Sequence, residues 1–590
     1  MKEFLKIVAA TVVGLIITGV IISIVGIIGM AGFVAAASGQ SETVVPEDAV
    51  FVLELNSKIT ERHEASPIDK FTGGANAGIG LDDILSSIQK AKENEDIKGI
   101  YLNPGDVAAA PATLTAIRRA LVDFKKSGKF LVAYAGNYSQ SGYYLATAAD
   151  TIMLNPEGSI GWHGMSMQTL FYADLMKKVG VRMQVFKVGT YKSAVEPYLN
   201  TKMSDANREQ SLAYIQSVWN QVVADVSASR KLPADTLNAQ ADKYMDLQTA
   251  GESVRAKMVD MLLYEDSVLS YLKKKTGIKP DDKLHTLDLE AMANVKRNTP
   301  KSKSGKTIAV YYAVGGIDPG KTSYGQDKID SKQVMKDLRD LREDKDVKAV
   351  VLRVNSPGGS AFGSELIWRE ICLLKEKKPV VVSMGDYAAS GGYYISCAAD
   401  WIVAEPTTLT GSIGIFGMFP DPSELMNEKL GIHMDGVKTN KLSDLGFMGV
   451  PFGEEGSALV QQMINKGYET FTKRCADGRK VSVEEIKKVA EGRVWTGEQA
   501  KKIKLVDELG GLDAAIRVAA KRAKVEDYTL QAYPGKSNLL TNLMQSTSDR
   551  YIHGEIRRVL GDYYTGFEFV KNLNEQDRIQ ARLPFELIIR

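Results

Sequence analysis

KQVMKDLRDLREDKDVKAVVLR, residues 332–353, decides the fold, because a close copy stands 250 residues earlier as DDILSSIQKAKENEDIKGIYLN, residues 82–103. Each copy opens on a charged segment with apolar residues three or four positions apart, the pattern of an amphipathic helix. Each closes on a short apolar run, the pattern of a buried strand. Working outward, apolar strands precede both copies, AVFVLEL at 49–55 and TIAVYYAV at 307–314. Second helices follow (TLTAIRRALVDFKKSG, 113–128; GSELIWREICLLKEKK, 363–378), then third strands, FLVAYA at 130–135 and PVVVSM at 379–384. Strands alternating with helices of this length are βαβ units, so the expected class is α/β, with mostly parallel sheets covered by helices and right-handed crossovers. Residues 132–165 also match 381–418. Two copies are too few for a solenoid, and the chain reads as a tandem duplication.

The expected layout is a start and membrane anchor over 1–41, a first repeat over 42–294, a linker over 295–306, a second repeat over 307–535 and a tail over 536–590. The linker VKRNTPKSKSGK is polar and basic, and the tail carries no assignable pattern. Residues 7–37 are an uncharged, predominantly apolar run, longer than the roughly 20 residues a membrane-crossing helix needs. Lys2 and Lys6 precede it and Glu42, Glu47 and Asp48 follow, which puts the N-terminus in the cytoplasm and the bulk of the chain across the membrane. A cleavable signal peptide ending near Ala35-Ala36-Ala37 is the alternative, but its apolar region is about half as long. A net charge of +2 over 590 residues gives no case for a nucleic-acid partner. Cys372, Cys397 and Cys475 lack CxxC spacing, and the five histidines include no HExxH, which argues against disulfides and a zinc site.

The copies have decayed in opposite places. The second has NSPGGS (355–360) and AASGG (388–392) where the first has NPGDVA and SQSG. The first has GTYKSAVEPY (189–198) where the second has KTNKLSDLGF. Complementary loss suggests one active site built from both halves. Ser390 lies after a strand, a turn at MGDY and the opening of a helix, where free backbone N–H groups favour developing negative charge. The bland reading is a helix N-cap in a tightly packed turn. Gly358 or Gly359, in a turn at the end of a strand, and Gly391 are candidate oxyanion donors. His163 and His433 lie in no catalytic setting, so the candidate base is Lys192, whose pKa would have to fall from ~10.4 to near 7 through burial. Glu196 opposes that shift unless its side chain turns away. Within-half pairs remain open: Ser141 stands 51 residues before Lys192, and Ser390 stands 51 before Lys441. Ser412, in GSIG, is a candidate to hold the lysine amine, although Ser159 repeats it in the first half.

GTYKSAVEPY, NSPGGS, MGDYAASGGYY and GSIGIFG together resemble the signal peptide peptidase A (protease IV) family, peptidase family S49, in its long form with two tandem halves. The resemblance runs from the N-terminal anchor to about residue 530. It implies ClpP/crotonase-like superhelical domains and a Ser–Lys dyad of Ser390 and Lys192 without metal or organic cofactor. It also implies a homotetramer on the periplasmic face of a bacterial inner membrane, acting on extended apolar peptides, notably cleaved signal peptides. The resulting expectation is a membrane-anchored serine endopeptidase working through an acyl-enzyme. A crotonase-like acyl-CoA enzyme and a catalytically inactive peptide-holding scaffold are the rivals.

Overall fold

The computed structural model describes residues 42–63, 78–297, 302–319, 328–447, 449–535 and 579–583, together with Thr18. Apart from Thr18, the apolar run 7–37 lies outside the described residues. Among the described residues no helix is long and apolar enough to cross a membrane.

The first half is built on a parallel sheet of six strands. Its centre is β1 (Ala49–Glu54), β2 (Ile97–Asn103), β3 (Phe130–Ala135) and β4 (Thr151–Leu154), flanked by Met261–Leu262 and Thr286–Leu287. The second half repeats this with β6 (Thr307–Val314), β7 (Val347–Ser356), β9 (Val380–Ala389) and β10 (Trp401–Ala404) in an eight-stranded sheet. Its edge strand Val494–Thr496 runs antiparallel to β11 (Leu409–Gly411). Both faces are buried, as parallel sheets require. Along β6, Ala309, Tyr311 and Ala313 enter one core while Ile308 and Val310 enter another. The duplicated helices carry the same buried stripe at the same offset. In α1 (Leu81–Glu93) it is Ile84, Ile88 and Ala91; in α5 (Ser331–Glu343) it is Val334, Leu338 and Leu341. That i, i+4, i+7 spacing presents one apolar face to each sheet.

A third sheet joins the halves. Its order is Lys328–Asp330, Gly316–Asp318, β8 (Gly358–Ser360), β13 (Ile579–Arg582), β12 (Phe416–Asp421) and β5 (Arg182–Lys187). The antiparallel pairing of β5 with β12, from Phe416 opposite Lys187 to Asp421 opposite Arg182, docks a first-half strand onto the second half. Two local expectations are corrected here. The MGDY segment is not a turn, because β9 runs on through it to Ala389. The diglycine segment is likewise no plain turn, since Gly358–Ser360 is a strand paired on both sides.

Candidate active site

Lys192 follows β5, and the β5–β12 pairing carries it into the second half. The Tyr191 amide donates to the Glu491 carbonyl at 3.0 Å, while Gln210 Nε2 donates to the Tyr191 carbonyl at 2.9 Å and to Ser193 Oγ at 3.1 Å. Gln210 Oε1 accepts the Val494 amide at 3.2 Å, so one side chain ties the lysine segment to the second half. Gly492 makes room for the approach. Its φ is 79°, and a Cβ added there would lie 2.8 Å from Lys192 Cα.

Lys192 is 1% exposed. Its Nζ lies 2.8 Å from Ser390 Oγ, 3.0 Å from Ser412 Oγ and 3.3 Å from the Ser412 carbonyl oxygen. Three such partners suit an amine in either state. As an ammonium it donates to all three, and as a neutral amine it donates twice to Ser412 and offers its lone pair to the Ser390 hydroxyl. Burial lowers the Lys192 pKa from 10.5 to about 7. Glu196 does not oppose this, because its carboxylate accepts from Ser204 Oγ at 2.6 Å, the Ser204 amide at 3.2 Å and Asn207 Nδ2 at 2.9 Å.

Ser390 stands at the start of α7 (Gly391–Ser396) with φ 55° and ψ −111°, and its side chain makes no cap hydrogen bond. A left-handed backbone at a non-glycine residue is costly and is retained where surrounding structure enforces it. Here the Ser390 amide donates to the Gly411 carbonyl at 2.8 Å, and Tyr394 N donates to the Ser390 carbonyl at 2.8 Å. The N-cap reading therefore fails, since Ser390 Oγ faces Lys192 instead. Ser412, with φ 48°, is the second strained residue of the site.

Gly391 and the diglycine strand lie against each other. A Cβ added at Gly358 would lie 2.8 Å from the Gly391 nitrogen and 1.9 Å from the Ala581 carbonyl oxygen. Only glycine fits there, and its φ of 102° requires glycine independently. The Gly358 amide already donates to Ser356 Oγ at 3.2 Å, so the Gly391 amide is the better-placed oxyanion donor of the expected set.

The within-half alternatives separate. Lys441 is exposed and paired with Glu455. Ser141 is fully buried inside α3 (Gln140–Ala146), one residue past its start, whereas Ser390 precedes α7. Counted from Tyr143-Tyr144 against Tyr393-Tyr394, the residue matching Ser390 is Gln140; counted from the helix start, it is Ser139. By either count Ser141 is not its counterpart, which corrects the 51-residue spacing argument. Ser159 also differs from Ser412, since its hydroxyl donates to Asn137 Oδ1 at 3.3 Å. His163 pairs with Asp246 at 2.9 Å, and His433 is exposed.

The sequence reading missed a buried network that supports both site strands from the first half. Arg353 donates to Glu61 through Nε at 3.0 Å and Nη2 at 2.8 Å. Asn355 Nδ2 donates to Glu61 Oε1 at 3.0 Å and Asp386 Oδ2 at 3.3 Å, and its Oδ1 accepts the Tyr387 amide at 3.0 Å. Asp386 in turn accepts from the Thr113 amide and hydroxyl, both at 2.8 Å, while burial and then Glu61 push its pKa up. Asn355 opens the diglycine segment and Asp386 lies four residues before Ser390. The asparagine of NSPGGS and the aspartate of MGDY were the available signals; their first-half partners lie about 300 residues away in sequence.

A model of peptidase family S49 matches residues 123–279 and 373–526, one stretch in each half. Protease 4 of Salmonella typhi is 38% identical over 517 residues, covering 86% of this chain and 79% of that protein. Protease 4 of Haemophilus influenzae is 33% identical over 562 residues, covering 91% and 89%. The chloroplastic serine protease SPPA of Arabidopsis thaliana is 34% identical over 465 residues, covering 78% and 68%. With the family model matched in both repeats and relatives aligned over most of the chain, this protein belongs to peptidase family S49.

Proposed function

We propose that this serine peptidase is a membrane-anchored endopeptidase that degrades cleaved signal peptides and other extended apolar peptides through a Ser–Lys dyad. The observation that carries the reading is the 2.8 Å approach of buried Lys192 Nζ to an uncapped Ser390 Oγ. At a pKa near 7, half of the lysine is neutral at physiological pH and accepts the hydroxyl proton as Ser390 attacks the scissile carbonyl. The Gly391 amide and the diglycine strand hold the oxyanion. Lys192 then passes its proton to the leaving amine, and water, deprotonated by the same lysine, hydrolyses the ester. Ser412 fixes the amine through its hydroxyl and carbonyl.

Each repeat is read as a ClpP/crotonase-like unit. The anchor rests on residues 7–37 and the flanking charges, with the catalytic region on the periplasmic side of a bacterial inner membrane. Self-association, as a homotetramer, is favoured by exposed apolar side chains on adjoining segments, among them Leu170, Leu175, Leu430, Ile432, Val437 and Phe447.

The test is hydrolysis of a fluorogenic apolar peptide ending in alanine by the detergent-solubilised full chain. Turnover abolished by Ser390→Ala is the expected result. Turnover that survives in a folded variant removes Ser390 as nucleophile, and no turnover by the parent across a peptide set and pH range favours a peptide-holding scaffold.

A further inference from the structure

The duplication leaves one place filled in the second half and open in the first. In the aligned repeats Asn103 matches Arg353, and Tyr134, Ala135 and Gly136 match Ser383, Met384 and Gly385. The registers agree. Arg353 stands opposite Ser383 across β7 and β9, and Asn103 follows directly on the pair of Leu102 with Ala133 across β2 and β3. In the second half the Arg353 guanidinium fills the place. Its Nη1 donates to Ser383 Oγ at 3.0 Å and to the Met384 carbonyl at 2.9 Å, while Nε and Nη2 donate to Glu61. A Cβ added at Gly385 would lie 2.6 Å from Glu61 Oε1, whereas one added at Gly136 meets nothing within 4 Å.

In the first half the same place is a cleft of about 420 Å³ at the C-terminal ends of β2, β3 and β4. Tyr101, Asn103 and Tyr134 line it from the strands, and Tyr264, Glu265 and Asp266 line it from the start of the helix Glu265–Thr276. No basic side chain lines it. Among the described residues neither carboxylate has a cationic partner, and neither the Tyr101 nor the Tyr134 hydroxyl makes a hydrogen bond. Tyr134 is only 5% exposed, so the cleft is where its hydroxyl must find a partner. Burial and, after it, Glu265, Tyr134 and Glu54 push the Tyr101 pKa up, so the cleft is electronegative. Such a lining repels an anion. A metal ion needs more ligands, and among the described residues no group of three His, Cys, Asp or Glu side chains could hold one. Aromatic rings, hydroxyl oxygens and carboxylates together suit an organic cation.

We propose that this first-half cleft binds a guanidinium or alkylammonium group supplied from outside the chain, either as the arginine or lysine side chain of a peptide or as a free amine. Glu265 and Asp266 meet the charge, and the Tyr101 and Tyr134 hydroxyls accept its N–H groups. Asn103 leaves open the space that Arg353 occupies in the other half. The second half thus carries its own cation at this point of the fold, and the first half takes one from solution.

The test is calorimetric titration of the detergent-solubilised full chain carrying Ser390→Ala, which keeps turnover out of the measurement. The probes are N-acetyl-arginine methylamide, its neutral citrulline counterpart and agmatine. The expected result is a single site for the cations, with citrulline at least about 10-fold weaker, as the loss of a charged hydrogen bond predicts. Adding Glu265→Gln and Asp266→Asn together should weaken binding by a similar factor. Asn103→Arg, which gives the first half the guanidinium of the second, should abolish it. Tighter binding of the blocked arginine than of agmatine identifies a peptide side chain as the source, and the reverse order identifies a free amine. Equal binding of citrulline, no binding of either cation, or parent affinity in Asn103→Arg overturns the proposal. Tyr134→Phe keeps the buried ring and drops only the hydroxyl, which covers the case in which Asn103→Arg fails to fold. About fivefold weaker binding is expected there, and parent affinity overturns the proposal. Each of these outcomes leaves the peptidase reading as it stands, because the dyad takes no part in them.

Discussion

Two short helices, Gln140–Ala146 and Gly391–Ser396, occupy matching places in the two halves and begin in opposite ways. Before the first, Ser139 has φ −64° and its Oγ accepts the Gly142 amide at 3.1 Å. Before the second, Ser390 has φ 55° and makes no cap hydrogen bond. A serine cap contributes about 1 kcal/mol, and a left-handed backbone costs roughly 1–2 kcal/mol. The second half thus forgoes stability at this one residue and gains an oxygen aimed at a buried amine. The lysines show the reverse. First-half Lys192 is sealed among Ser390, Ser412 and Gly492, while second-half Lys441 sits in solvent beside Glu455. Each half has kept the expensive version of one residue and the cheap version of the other.

The comparison breaks most visibly at the dyad. Ser390→Ala should lower kcat/KM by about 10⁴-fold or more, whereas the double variant Ser141→Ala/Lys441→Ala should stay within about twofold of the parent. A large loss in the second variant would mean that the halves are not specialised as described.

The next effect concerns how the halves are held together. Glu61 and Arg353 are both about 4% exposed at the side chain and pair across the halves at 2.8 Å. Glu61→Ala leaves Arg353 buried and unpaired, and should cost about 3–5 kcal/mol in denaturant unfolding. It should also lower kcat, since Asn355 loses an acceptor. The same substitution at the exposed Glu455 should leave both quantities unchanged.

A smaller effect separates the lysines by pH. Lys192 has its folded pKa lowered to about 7, so kcat/KM should fall by about tenfold for each pH unit below that value and level off above it. The stability sign follows from the same shift. Between about 7 and 10.5 the unfolded chain holds a proton that the folded chain lacks, so stability rises with pH across that window. Replacing Lys192 by Met should therefore raise Tm most below pH 7 and hardly at all above 10.5. A Tm gain that grows with pH would contradict the burial argument.

The smallest effect sets two glycines against each other. Gly492 and Gly128 both have φ 79°, but a Cβ at Gly128 meets nothing within 4 Å while one at Gly492 meets Lys192 Cα at 2.8 Å. Both alanine variants should lose roughly 1–2 kcal/mol of stability from backbone strain. Only Gly492→Ala should also lower kcat, by about tenfold for a misplaced base.

Much of this was legible in the sequence because the duplication supplies its own control. The βαβ order and the strand Thr307–Val314 follow from periodicity that both copies share. Ser390 and Lys192 stood out because the copies differ there. What stayed hidden depends on contacts between segments far apart in the chain. Nothing in RMQVFK at 182–187 announces a partner strand at 416–421, yet that pairing delivers the lysine. Glu61 and Thr113 look like ordinary surface residues until Arg353 and Asp386 meet them. A four-residue strand at 579–582 is too short for any period to show. The register of Ser141 against Ser390 is hidden too, because one residue missing from the first half sets Ser141 inside its helix while Ser390 precedes the other.

The central claim is that one residue from each half forms a single catalytic unit, and a double-mutant cycle in kcat/KM tests it most directly. Ser390→Ala, Lys192→Ala and the combined variant should all fall to the same residual rate, because removing either member already disables the unit. Losses that multiply in the combined variant, or a Lys192→Ala enzyme that keeps most of its activity, would contradict it.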